Sequence, residues 1–91
     1  MSDEAIVKTS KNCSLGMHPG TLKLTDQRLT FTTLLKKKVK FDVPLADIKG
    51  ADAFGANMVE IFTTDGMRYR VQVNAVTRHE WVETLQQAVA G

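Results

Sequence analysis

Ninety-one residues support one hydrophobic core and not two, since a chain of this size buries only about 60 to 65% of the surface its unfolded form exposes. Hydrophobic residues at 43% and charged residues at 24% match an ordinary globular domain, which argues against disordered and fibrous classes. Twelve Lys and Arg against ten Asp and Glu leave a net charge of +2, far short of the dense positive face of a dedicated nucleic-acid binder.

Cys13 is the one cysteine, so no intrachain disulfide can form, which fits a reducing compartment. The opening Met1-Ser2-Asp3-Glu4 is acidic where a secretory signal is basic, and no apolar run approaches the ~18 residues of a membrane span. A single cytoplasmic domain over residues 1–91 is expected, with no linker, repeat or low-complexity segment.

In chain order, the first strand is expected over Ala5 to Cys13, followed by a Leu15-Gly16-Met17-His18-Pro19 loop. The next strands run from Gly20 to Leu24 and from Arg28 to Thr33, reversed by Thr25-Asp26-Gln27, with Leu29, Phe31 and Thr33 inward. After a connection from Leu34 to Lys38, Val39, Phe41 and Val43 alternate inward against Lys38, Lys40 and Asp42. Pro19 and Pro44 stand where connections are expected.

A short segment around Ile48 precedes a loop through Phe54-Gly55-Ala56-Asn57, and Met58 to Thr63 forms the next strand. Asp65-Gly66 signals a two-residue hairpin, because a primed turn needs positive φ at both positions. Beyond it Met67, Tyr69, Val71 and Val73 face inward against Arg68, Arg70 and Gln72. The period then changes: Trp81, Val82, Leu85, Ala88 and Val89 fall on one helical stripe. Thr77 and Glu80 have capping-box spacing, and Val76 is placed to staple onto Trp81. The expected class is α+β, mainly β: about seven strands in a bent antiparallel sheet or partly open barrel, covered by one C-terminal amphipathic helix.

Gly20 to Phe31 (GTLKLTDQRLTF), Val43 to Ile48 (VPLADI), Thr64 to Tyr69 (TDGMRY) and Trp81 with Leu85 resemble the pleckstrin-homology superfold, most closely its GRAM branch and bacterial PH-like members. The resemblance covers most of the chain from Gly20 onward. It implies a PH-like fold and a non-catalytic binding or adaptor module, since this architecture hosts lipid binders, peptide binders and structural modules. The basic pattern that phosphoinositide-binding members carry on their first hairpin is reduced here to Lys8, Lys11 and Lys23.

Leu34-Leu35-Lys36-Lys37-Lys38, with Lys40 two residues on, is the sharpest local feature. In a meander its loop emerges near Lys11, His18 and Pro19, as a tip in which a leucine enters the headgroup boundary while the lysines meet anionic lipid. The alternative is a solvated hairpin tip with one leucine completing the core. Phe54 and Met58 are candidates for a second, protein-binding patch, for a peptide or another copy of the chain. Arg68 and Arg70 either meet an anion or pair with Glu60 across the hairpin. Cys13, His18 and His79 are too few and too scattered to expect a metal, and no cofactor motif is present. Ser10, Cys13 and Ser14 lack an identifiable base, so no enzyme is expected. The strand aromatics Phe31, Phe41 and Tyr69 take the inward phase, which argues against nucleic acid.

Overall fold

The computed structural model describes residues 5–35 and 37–90. Seven strands form one antiparallel sheet: β1 (Ile6–Leu15), β2 (His18–Thr25), β3 (Arg28–Thr33), β4 (Val39–Pro44), β5 (Ile48–Phe54), β6 (Met58–Thr63) and β7 (Arg68–Gln72). A 3-10 turn at Leu45–Asp47 joins β4 to β5, and α1 spans Arg78–Ala90. The spatial order is β4-β3-β2-β1-β7-β6-β5, so the sheet bends without closing and β1 is shared between its halves. The class expected from the sequence is the one observed.

The core gathers the inward faces of both halves with the helix stripe: Leu22, Leu24, Leu29, Phe31, Val59, Ile61, Val71, Trp81 and Leu85 are fully buried. Phe41 stacks between Phe31 and Tyr69, at 6.1 and 4.6 Å between ring centroids, and so links the two halves across the open side. The Trp81 indole N–H donates to the Ser10 hydroxyl at 2.9 Å, and Lys8 lies over the ring at 5.5 Å. One extra residue in β1, between Ser10 and Cys13, lets both face the interior although they are three apart. The Gln86 side-chain amide donates to the Ala51 carbonyl, so α1 also covers the edge strand β5.

Several local expectations are corrected. A bulge in β4, where Phe31 opposes Phe41 but Thr32 opposes Val39, shifts the phase by one and turns Val39 outward, against its expected inward place. Met67 is likewise exposed, because it sits at the hairpin end beyond the reach of the core. The β6–β7 connection has three residues rather than two: Thr63 N–H bonds Met67 O, and Gly66 takes φ +91°. That extra residue sets the register, placing Glu60 opposite Arg70 where a two-residue loop would oppose it to Val71. The Leu15-to-Pro19 loop is a two-residue turn, Gly16-Met17, with Pro19 inside β2; its carbonyl accepts from Leu34 N–H beyond the end of the β2–β3 ladder.

The start of α1 also departs from the capping-box pattern. The Thr77 amide and hydroxyl both donate to the Asn74 carbonyl, while the Glu80 carboxylate turns to Lys8 at 3.4 Å. Asn74 takes over the local hydrogen bonding, its side-chain oxygen accepting from Val76 N–H. Val76 is 83% exposed and does not staple onto Trp81.

Burial pushes the Cys13 thiol pKa up, opposed by a weaker hydrogen bond with the Leu22 backbone. We expect native Cys13 to resist iodoacetamide at mildly alkaline pH and to react readily in urea. Because the folded pKa lies above the unfolded one, this group's contribution is full below the unfolded pKa and is lost as pH rises towards the folded value. Equal alkylation rates in both states would contradict this burial.

Candidate functional site

The β1–β2 turn and the β3–β4 connection come together at one end of the sheet, tied by the Leu34 N–H to Pro19 O bond at 3.0 Å. Thr33 holds the base of the second loop: its amide donates to Lys38 O and its hydroxyl accepts from Lys38 N–H, both at 2.9 Å. Lys37 adopts φ +46°, the left-handed region that only a sharp reversal demands of a non-glycine residue. Leu34 and Leu35 are 54% and 90% exposed, so neither completes the core. A cleft of about 220 Å³ lies beneath them, lined by His18, Pro19, Thr33, Leu35, Lys38 and Lys40.

Of the residues named for this tip, Leu35, Lys38 and Lys40 converge on the cleft, and Leu34 and Lys37 flank it in the same loop. Lys11 sits in the β1 bulge and does not line the cleft. Lys36 lies outside the described residues. Met17, 94% exposed at the tip of the β1–β2 turn, escaped the sequence reading. Its signal was the Gly16-Met17 dipeptide between two strand patterns, which the structure makes the two-residue turn, with Gly16 at φ +63°.

Further along β4 the open side changes sign. Asp42, Asp47 and Asp65 line a second cleft with Thr63, Thr64 and Tyr69. Arg28 bonds Asp42 at 3.2 Å, and the Asp65 carboxyl is held below the usual carboxylate range by the Thr63 hydroxyl and then by the Met67 amide. Of the described residues lining the two clefts, Lys38 and Lys40 belong to the first and the three aspartates to the second.

Phe54 and Met58 form a cross-strand pair next to the β5–β6 loop, with Phe54 38% exposed and Met58 half-buried. The Arg70 guanidinium stacks on Phe54 at 4.0 Å and its Nε donates to the Glu60 carboxylate at 2.6 Å, which settles Arg70 in the pairing role. Arg68 opposes Phe62 instead and forms no ion pair among the described residues. Ser10 and Cys13 serve packing and hydrogen bonding at Trp81. Among the described residues no group of three His, Cys, Asp or Glu could hold a metal ion, and no helix is long and apolar enough to cross a membrane.

No family model matches the sequence, and no curated relative matches it. Solved structures do match in three dimensions. The C-terminal domain of an unknown protein from Leishmania infantum is similar at a TM-score of 0.81 and 20% identity, over 97% of this chain and 86% of that one. The N-terminally truncated linker-DH/PH domains of p115-RhoGEF match at 0.81 and 9% identity, over 99% of this chain and 30% of that one. The Vps36 N-terminal PH domain matches at 0.77 and 13% identity, over 96% and 80%. The fold is therefore PH-like: a bent seven-stranded antiparallel sheet with one C-terminal helix.

Proposed function

We propose that this domain is a non-catalytic binding module that docks on anionic membrane from the cytoplasmic side, in the manner of a GRAM-like protein. The observation that carries the reading is the 90% exposure of Leu35 within a loop that also presents Lys37 and Lys38, with Met17 projecting from the neighbouring turn. Apolar side chains of this size have no folding role at such exposure, whereas a headgroup boundary accepts them and the lysines meet its negative potential.

Three to four lysines at ~1 kcal/mol each and one inserted leucine at ~1 to 2 kcal/mol give about 4 to 6 kcal/mol. That corresponds to a Kd between about 1 mM and tens of micromolar, suited to reversible contact and not to anchoring. The acidic cleft beside Asp42, Asp47 and Asp65 is repelled by the same surface, which favours docking by the β3–β4 loop first.

The test is co-pelleting with phosphatidylserine vesicles at low and physiological salt. Lys37→Gly/Lys38→Ala removes two charges at a backbone that glycine adopts freely, and should weaken binding about 30-fold. Met17→Ser/Leu35→Ser should weaken it at least about fivefold with an unchanged salt slope. Undiminished pelleting of both variants would refute the tip as the contact. A second reading, protein interaction through the partly exposed Phe54 beside Met58, is favoured by that different face and would be nearly independent of salt.

A further inference from the structure

The two halves of the sheet treat their outer faces differently. Between β2, β3 and β4 the outward pairs are Thr21 with Thr32 and Lys23 with Thr30, the polar alternation of a solvated face. Across β5, β6 and β7 the outward rows are Phe54–Met58–Gln72, Asp52–Glu60–Arg70 and Gly50–Phe62–Arg68. Apolar side chains stand where water-facing strands normally carry polar ones. Glu60 is only 8% exposed on this face, where Arg70 spans from its carboxylate to the Phe54 ring.

At one end of this face a groove of about 260 Å³ is lined by Lys49, Phe62, Thr63, Gly66, Met67 and Arg68. Its floor is apolar and its rims carry two cations with no ion-pair partner among the described residues. The nearby anions are already engaged: Glu60 by Arg70, Asp52 by its neighbour's amide, Ala53 N–H, at 2.8 Å, and Asp65, in the hairpin turn, by the Thr63 hydroxyl and the Met67 amide. Gly50, opposite Phe62, leaves open space, since a Cβ built there meets no atom within 4 Å.

We infer that this groove binds an acidic peptide segment of a partner protein, one that sets an apolar side chain on Phe62 and Met67 and a carboxylate between Lys49 and Arg68. Charge complementarity selects this occupant: the groove has uncompensated positive charge beside apolar surface. A second copy meeting this groove about a two-fold axis would bring the two Lys49–Arg68 patches together, and that concentration of like charge disfavours self-association. The peptide lies across the face rather than extending the sheet, because Gln86 of α1 already occupies the Ala51 carbonyl on the β5 edge.

The test is an amide chemical-shift titration of the whole chain with a synthetic amphipathic peptide of Leu and Glu, and with its Leu/Lys counterpart. The Leu/Glu peptide should shift the amides of Lys49, Gly50, Phe62 and Arg68. Lys49→Glu/Arg68→Glu should weaken it at least about tenfold with an otherwise native spectrum, while Lys37→Gly/Lys38→Ala should leave it unchanged. The inference is overturned by no shift on this face or by equal binding of the Leu/Lys peptide. It is equally overturned by concentration-dependent shifts of the face without peptide, which would mean a second copy. Broadening of the same amides by phosphatidylserine vesicles in place of the peptide would assign the face to membrane instead.

Discussion

Trp81→Ala is expected to cost about 3 to 5 kcal/mol, the largest loss available from a single side chain in this domain. A 91-residue domain at ~0.05 to 0.15 kcal/mol per residue holds only about 5 to 14 kcal/mol in all, so the variant should be marginal. The reason is position as much as size. Trp81 is fully buried where α1 meets the start of β1, and its loss opens a cavity beside Leu85 while leaving the Ser10 hydroxyl without its donor. Urea unfolding followed by circular dichroism measures it. Trp81→Phe keeps most of the apolar contact but not the N–H, and Ser10→Ala removes only the acceptor; the latter should cost about 1 kcal/mol. A loss for Trp81→Ala below about 1.5 kcal/mol would mean that the helix does not seal the core.

Gly20→Ala should come close behind, at about 3 kcal/mol, although it adds a single methyl group. A Cβ at Gly20 would lie 2.3 Å from the Thr32 carbonyl oxygen and 2.7 and 2.8 Å from two carbons of the Phe31 ring. The ring could swing aside, but the carbonyl belongs to the paired backbone of β3. Relief therefore requires β2 and β3 to part or Phe31 to leave the core, where it is fully buried. Phe31 lies over Gly20 as an aromatic ring shields a strand glycine from water. Gly50→Ala is the matched control, with nothing within 4 Å of the added methyl, and should change stability by no more than about 0.5 kcal/mol. Equal midpoints for the two variants in urea would remove the close-approach account of Gly20.

Strain at Gly20 would also reach the tip. Thr33 pairs with Gly20, and Thr33 carries the two hydrogen bonds that close the β3–β4 loop on Lys38. A vesicle-binding defect in Gly20→Ala without any change in the tip's own residues is the expected signature of that linkage.

The periodicity of the sequence determined the order of the strands and the single helix, because period-two and period-3.6 patterns report directly which residues seek the core. Leu29, Phe31, Val71, Trp81 and Leu85 were legible for that reason, as was the Thr25-Asp26-Gln27 reversal, where the Thr25 hydroxyl accepts from the Gln27 and Arg28 amides. The basic, leucine-bearing loop from Leu34 to Lys40 was legible too, since five of its seven residues are the run that marked it, though not its exposure.

What only the tertiary structure decided depends on single-residue phase and on distant partners. One bulge residue in β4 turns Val39 outward, and one extra loop residue at Thr64-Asp65-Gly66 brings Glu60 across from Arg70. Because side chains alternate with period two, one extra residue within a strand turns its neighbour to the other face, and one in a turn changes every cross-strand partner; nothing local announces either. Glu80 turned to Lys8 for the same kind of reason: its partner is 72 residues away in the sequence, and only the fold brings the two together. The apolar outer face of β5 to β7 became visible only once the register set Phe54, Met58 and Phe62 in the same outward phase as Asp52, Glu60 and Arg70.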